Sequence, residues 1–178
     1  MKLLVTGLCA LAAVVPLAGV ATAAPPAPDV PDGIAVGEGY KPYLIGHAVG
    51  VQIYDCNGVS WSLRAPRANL YGDNGQLIAT HFGGPSWQAK DGSKVIARRA
   101  ADPVIVDDKA IPWLLLEPTS ATAGPDGDRL AGTKYIQRIN TTGGLAPAAS
   151  ECNTETAGDQ AEIPYTADYV FWKKEELT

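Results

Sequence analysis

Hydrophobic side chains recur at every second position in several short segments of the chain. Val49, Val51 and Ile53 follow this pattern between positions 43 and 54, and residues 163–172 show it again near the end. A period of two is that of a β-strand, whose successive side chains point to opposite faces. The segments that the pattern predicts as strands are 43–54, 59–63, 68–71, 76–82, 86–89, 94–98, 111–117, 133–140 and 163–172.

The residues between these segments favour tight turns. Gly72-Asp73-Asn74-Gly75 and Lys90-Asp91-Gly92-Ser93 each separate two predicted strands, which is typical of hairpins. The chain's 14 prolines and 19 glycines interrupt nearly every window long enough for a helix, and only residues 106–110 suggest a helical turn. Residues 113–116 are continuously apolar, as in a strand buried on both faces. We therefore predict an all-β fold, an antiparallel β-sandwich or barrel of about eight or nine short strands.

The first residues have the composition of a secretory signal peptide. Met1 and Lys2 precede an apolar run over residues 3–20, and the small residues Ala21-Thr22-Ala23 then provide a cleavage site. The sequence predicts a signal peptide at 1–23, a Pro-rich, extended and mobile leader at 24–33, and a single β domain at 34–178. The expected location is secreted, either extracellular or in the cell envelope.

The number of cysteines is consistent with an exported protein that contains one disulfide. Cys9 lies in the predicted signal peptide, which leaves Cys56 and Cys152 for an oxidising compartment. They are far apart in sequence and lack the spacing of a metal or redox pair, so we predict one disulfide between them. A bridge that closes a loop of about 100 residues stabilises a fold by about 4–5 kcal/mol in the chain-entropy view.

Charge and motif content exclude several classes of partner. The 14 basic and 19 acidic residues give a net charge of −5, and the basic residues form neither a stripe nor an amphipathic helix. We therefore expect no nucleic-acid partner, and no membrane partner after signal cleavage. No nucleotide-binding loop is complete, and the two histidines, His47 and His81, lack the short spacing of metal ligands. The sequence predicts neither a metal site nor a cofactor.

The most distinctive polar segment covers residues 80–94. There His81 and Trp87 flank a Gly-Gly-Pro turn, and a predicted hairpin would return Asp91 and Lys94 towards them. His81 could act as an acid or base oriented by Asp91, with Trp87 as a stacking face. The alternative is structural, with Trp87 in the core, Asp91 serving the hairpin and His81 facing water.

One charge on a predicted strand also needs an explanation. Arg138 lies among the apolar residues of segment 133–140. It is either a charge on a solvated face or a buried salt-bridge anchor near the polar cluster.

Several motifs together resemble one family of secreted bacterial and fungal proteins of unknown function. These are Gly50-Val51-Gln52-Ile53-Tyr54-x-Cys56, the segment His81–Lys94 with its Gly-Pro-Ser-Trp and Asp-Gly-Ser-Lys sequences, Ile111-Pro112-Trp113-Leu114-Leu115-Leu116, and Tyr135-Ile136-Gln137-Arg138-Ile139-Asn140-Thr141-Thr142-Gly143-Gly144. They occur in order over nearly the whole predicted domain. The resemblance implies a secreted single domain without an assigned reaction.

Two functional hypotheses from different classes follow. The first is a binding or surface-interaction module in which Trp87, Lys94 and Arg138 contact a glycan, a wall component or another protein, since aromatic rings supply contact area at low entropic cost. The second is a small extracellular enzyme that uses His81 and Asp91 for acid–base chemistry. A structural role in the envelope is a further alternative. We favour binding, because no complete catalytic constellation is present.

Overall fold

The computed structural model describes residues 24–176, and the predicted signal peptide lies outside them. The described chain forms eight antiparallel strands that close into one barrel, in which each strand pairs with its neighbours in sequence and β1 pairs with β8. The strands are β1 (Tyr40–Cys56), β2 (Trp61–Tyr71), β3 (Leu77–Phe82), β4 (Ser86–Ala89), β5 (Lys94–Arg99), β6 (Leu114–Thr122), β7 (Thr133–Gly143) and β8 (Gln160–Lys174). Two short 3₁₀ turns cover Asp32–Ile34 and Ala149–Glu151. The all-β prediction is confirmed, with the barrel as the form taken.

Eight strands replace nine predicted segments because two segments belong to one strand. Residues 61–63 of the first of these segments and the whole of segment 68–71 are parts of β2, which continues through Pro66 opposite Gln52 of β1. A shift in register between Ile53 and Tyr54 accommodates this irregular stretch. The segment predicted as a helical turn instead contains a turn closed by Ala110 N–H to the Asp107 carbonyl.

The barrel interior is filled by the side chains that the period of two places on one face. Small residues such as Ala48, Ala68 and Ala167 leave room for Trp87 and Phe171, both of which are fully buried. This mixture of small and large side chains is how a narrow barrel fills its interior. The interior is therefore a packed core over much of its length.

A second apolar cluster covers the outer wall of the barrel. It contains Leu115, Val170 and Trp172. Val30 of the leader packs against it, and Ile34, which directly follows the leader, is completely buried in it. Gln137 donates to the Ile34 carbonyl at 2.7 Å and accepts from the Trp172 indole at 2.9 Å. The continuously apolar segment 113–116 is explained by these two clusters, since Leu115 contacts the outer one and Leu116 the inner one.

The connections of an up-and-down barrel alternate between its two ends. Segments 57–60, 83–85, 100–113 and 144–159 connect β1–β2, β3–β4, β5–β6 and β7–β8 and therefore gather at one end. The predicted disulfide Cys56–Cys152 is confirmed there, with Cα atoms 5.4 Å apart. We call this end the disulfide end. Within residues 24–176, no helix has the length and apolar character needed to cross a membrane.

Candidate functional site

A cavity of about 340 Å³ opens into the barrel at the disulfide end. Its deep residues are Gln52, His81, Trp87 and Tyr169, all of which are buried. Its outer lining includes the exposed side chain of Leu63 and the turn that follows β3. A cavity of this size lies at the small end of the range that protein ligand sites occupy.

Aromatic rings form the floor of the cavity. The His81 and Trp87 rings are stacked, with centroids 4.3 Å apart and an angle of 9° between their planes. Tyr169 packs on both of them, at 4.9 Å from His81 and 5.3 Å from Trp87. These contacts follow from register, because His81 of β3 lies directly opposite Trp87 of β4.

His81 is held as a neutral imidazole. Its Nδ1 lies 2.9 Å from the Ser86 carbonyl, an atom that can only accept, so Nδ1 carries the proton and donates it. Burial lowers the pKa of His81 from 6.5 to about 3, the bond to Ser86 opposes this effect, and the charge of Arg138 adds to it. A group with this pKa is a weak base at neutral pH, which argues against the acid–base hypothesis for His81.

This environment predicts that His81 makes the fold sensitive to acid. Because the folded-state pKa of His81 lies below its unfolded value, the unfolded chain binds more protons between pH 3 and 6.5. The contribution of His81 to stability is complete above about pH 6.5 and falls by about 1.4 kcal/mol per pH unit below it. Urea titrations from pH 4 to 8 should show a flatter acid limb for His81→Gln than for the wild type.

His47 provides the matched control because its pKa is shifted in the opposite direction. On the outer wall, its Nε2 lies 2.9 Å from Asp73 and its Nδ1 lies 2.6 Å from Asp168. The bond to Asp73, and after it the bond to Asp168, raises the pKa of His47. The contribution of His47 to stability is therefore present below about pH 6.5 and is lost as the pH rises through the pKa of the folded state. Since the ring is half exposed, this effect is below about 1 kcal/mol. If the free energy of unfolding of His81→Gln fell more steeply with decreasing pH than that of the wild type, the assignment of His81 as a buried neutral imidazole would be wrong.

Arg138 lies inside the barrel wall rather than on the solvated face. It is opposite Leu114 of β6 and Tyr169 of β8, and its guanidinium donates twice to the Pro112 carbonyl, from Nε at 3.1 Å and Nη2 at 2.7 Å. Neither alternative from the sequence describes it, because the side chain is half-buried and forms no ion pair within residues 24–176. Arg138 places a positive charge beside the cavity.

Two buried N–H groups on cavity-lining residues have no hydrogen-bond partner within the described chain. They are Nε2 of Gln52, a residue with 1% exposure, and Nε1 of Trp87, which has 0%. A buried donor without a partner is costly, so a native fold rarely keeps one without a reason. Gln52 was not among the residues predicted from the sequence, although a polar side chain between the inward-facing Ala48 and Tyr54 of β1 was the available signal.

The structure does not bring Asp91 to His81. Strand β4 runs from the turn beside His81 to the opposite end of the barrel, where Asp91 lies in the β4–β5 turn. The Asp91 carboxylate accepts from the backbone N–H groups of Ser93 at 2.9 Å and Arg129 at 2.8 Å. The Ser93 hydroxyl contributes most to lowering the pKa of Asp91. Asp91 therefore links the loop between β6 and β7 to the β4–β5 turn by a hydrogen bond.

Lys94 also lies away from the cavity. It precedes the inward-facing Val95 of β5, and its Nζ lies 5.1 Å from the centre of the Phe82 ring. Of the five sequence-predicted residues, the structure places three at the cavity, namely His81, Trp87 and Arg138. Within residues 24–176, no three His, Cys, Asp or Glu side chains lie together as metal ligands.

Comparison with known proteins identifies the family. Neither the curated proteins nor the solved structures include a match to this chain. A family model described as "Protein of unknown function (DUF3455)" matches residues 37–173, a stretch that begins just before β1 and ends within β8. It includes every residue that lines the cavity. The chain therefore belongs to the DUF3455 family.

Proposed function

We propose that this protein is a secreted β-barrel that binds one small molecule in the cavity at the disulfide end. The observation that carries the proposal is the pair of buried, unpartnered donors on Gln52 and Trp87, two residues that line that cavity. An acceptor on a bound molecule would satisfy them, whereas the protein alone leaves both bonds unmade. Barrels of eight strands are wide enough to hold one small ligand.

The cavity walls have the character of a ligand site. Apolar side chains predominate, among them Leu63, Ala65, Leu114 and Leu116, and polar groups are few. Such sites bind by apolar contact and use a few placed polar groups to orient the ligand. With His81 neutral, this lining supports binding better than acid–base catalysis.

The surface at the disulfide end supports entry of an apolar molecule. Of the six exposed large hydrophobic side chains in residues 24–176, five lie on its connections or beside them: Val59, Leu63, Ile105, Val106 and Leu145. The sixth, Val49, is on the outer wall within β1. Leu63 lines the cavity, and apolar side chains grouped at one end of a protein mark a binding surface more often than scattered ones do.

Secretion and the external partners remain predictions from the sequence. A disulfide is compatible with an extracellular location, and the signal peptide predicted at 1–23 provides the route. The partner expected from the sequence is a glycan, a wall component or a protein, which would supply the bound group. Because Trp87 is inside the barrel, any partner that contacts it must insert a group that fits the cavity.

Binding is tested with a neutral fluorescent probe, N-phenyl-1-naphthylamine, whose emission rises in apolar surroundings. We expect saturable binding of one probe per chain. Ala65→Trp places a bulky ring in the cavity lining and should weaken binding about tenfold or more. The same change at the exposed Val49, Val49→Trp, adds a ring outside the barrel and should leave binding unchanged.

Two results would contradict the proposal. One is absence of probe binding by the folded wild type. The other is equal probe affinity of the wild type and of Ala65→Trp with an unchanged melting temperature, since the probe would then occupy another surface.

A further inference from the structure

The charge that lines the cavity is opposite in sign to that of the whole protein. The chain carries a net charge of −5, yet Arg64, Arg99 and Arg138 all line the cavity. Among its lining residues, all of which belong to the described chain, none is Asp or Glu. The cavity is therefore an electropositive site within an acidic protein, an arrangement that favours anions.

The arginines differ in how they are neutralised. Arg67 and Arg98, which do not line the cavity, are paired with Glu162 at 2.6 Å and Glu117 at 2.7 Å. Arg64, at the cavity rim, is paired with Asp55 at 2.9 Å. Arg99 and Arg138 have no carboxylate partner in the chain from residue 24 to residue 176. Two of the three arginines that line the cavity are thus not neutralised by an ion pair.

Arg138 is the better placed of the two unpaired arginines in the cavity lining to bind an anion. Its bonds to the Pro112 carbonyl fix the guanidinium from one side, and the remaining N–H groups of its planar fork suit a carboxylate. Arg99 is exposed at the end of β5, where it adds positive potential at the entrance. The unpartnered donors on Gln52 and Trp87 belong to the same lining and can add to the anion's hydrogen bonds.

We propose that the ligand is an apolar carboxylic acid whose carboxylate is bound by Arg138 and whose body packs against the apolar wall. This inference rests on the proposed function, because it names the chemical class that the same cavity takes. A carboxylate fits better than a phosphate, since a single charge costs less to remove from water in a small, largely apolar site. Leu63, Leu114 and Leu116 of the cavity lining would contact the body of such a molecule.

The test compares an acid with its neutral isostere. Octanoate and octanamide have the same chain length, and isothermal titration calorimetry of the purified protein at pH 7 measures the affinity for each. Octanoate should bind at least tenfold more tightly than octanamide, because a charge-assisted bidentate contact contributes about this much. The preference should decrease as salt is added.

Variants then identify the residue. Arg138→Gln should reduce octanoate affinity about ten- to a hundredfold and leave octanamide affinity within about twofold. Arg99→Gln, at an exposed position where folding is not at risk, should reduce octanoate affinity a few-fold and only at low salt. The control is Arg67→Gln, which removes the same charge from the outer wall and should change octanoate affinity by less than about twofold.

The outcomes separate this inference from the proposed function. Equal affinity for octanoate and octanamide, or unchanged octanoate affinity in Arg138→Gln, would overturn the carboxylate assignment while cavity binding stands. Failure of octanoate to bind although N-phenyl-1-naphthylamine binds would also overturn it. Failure of all three molecules would overturn both proposals.

Discussion

Replacing Cys56 and Cys152 together by serine is expected to lower the free energy of unfolding by about 4–5 kcal/mol. The bridge joins positions 96 residues apart, so it removes many conformations from the unfolded chain. The folded barrel loses little by comparison, because Cys56 N–H still donates to the Asp159 carbonyl and Gly158 N–H to the Cys56 carbonyl, both at 2.9 Å. A loss of this size is a large part of the stability of a typical domain.

Urea titration of the wild type and of the double variant measures this difference, with both proteins also titrated in the presence of a reductant. Reductant should destabilise the wild type to the level of the variant and leave the variant unchanged. A difference below about 1 kcal/mol would show that the unfolded chain does not gain the freedom on which this expectation depends.

Replacing Trp87 by alanine is expected to destabilise the protein by about 3–5 kcal/mol. Trp87 is completely buried and contacts three other rings: His81, Tyr169 and Phe171, the last at 6.2 Å. Removal of the indole would leave a large empty space at the floor of the cavity, because strands β3, β4 and β8 cannot close on it without breaking their pairing.

Thermal and urea unfolding measure this loss, with Trp113→Ala as the matched control. Trp113 lies on the outer wall, half-buried beside the second cluster, so its removal should cost clearly less. A second variant, Trp87→Phe, retains an aromatic ring but lacks the indole N–H, and it should retain more stability than Trp87→Ala. If Trp87→Ala and Trp113→Ala were equally stable, the inner cluster would not be the main core.

The sequence pattern identified most of the strands because burial on one face imposes a period of two. β1 and β8 were clear, since each is long and alternates buried with less buried side chains over much of its length. The pattern failed at β2, where Arg64, Pro66 and Arg67 look like a turn but continue the strand opposite β1. Tertiary pairing overrode the local signal there.

Of the cluster predicted around His81, the sequence placed Trp87 correctly and Asp91 wrongly, and the reason is geometric. His81 and Trp87 become neighbours through the tight turn that joins β3 to β4, a local effect that the Gly-Gly-Pro sequence indicated. Strand β4, which follows this turn, places Asp91 at the other end of the barrel, because each residue of a strand advances the chain by about 3.3 Å. A short sequence separation does not place residues together when a strand lies between them.

By itself, the sequence determined that this chain is built of antiparallel strands and joined once by Cys56 and Cys152, because side-chain alternation and cysteine content are local properties. Only the tertiary structure decided that the sheet closes by pairing β1 with β8. That closure brings Gln52, His81 and Arg138, which lie on three different strands, around one cavity. Register between distant strands depends on the packing of the whole interior, and this is why the cavity and its unpaired charge could not be predicted from the order of the residues.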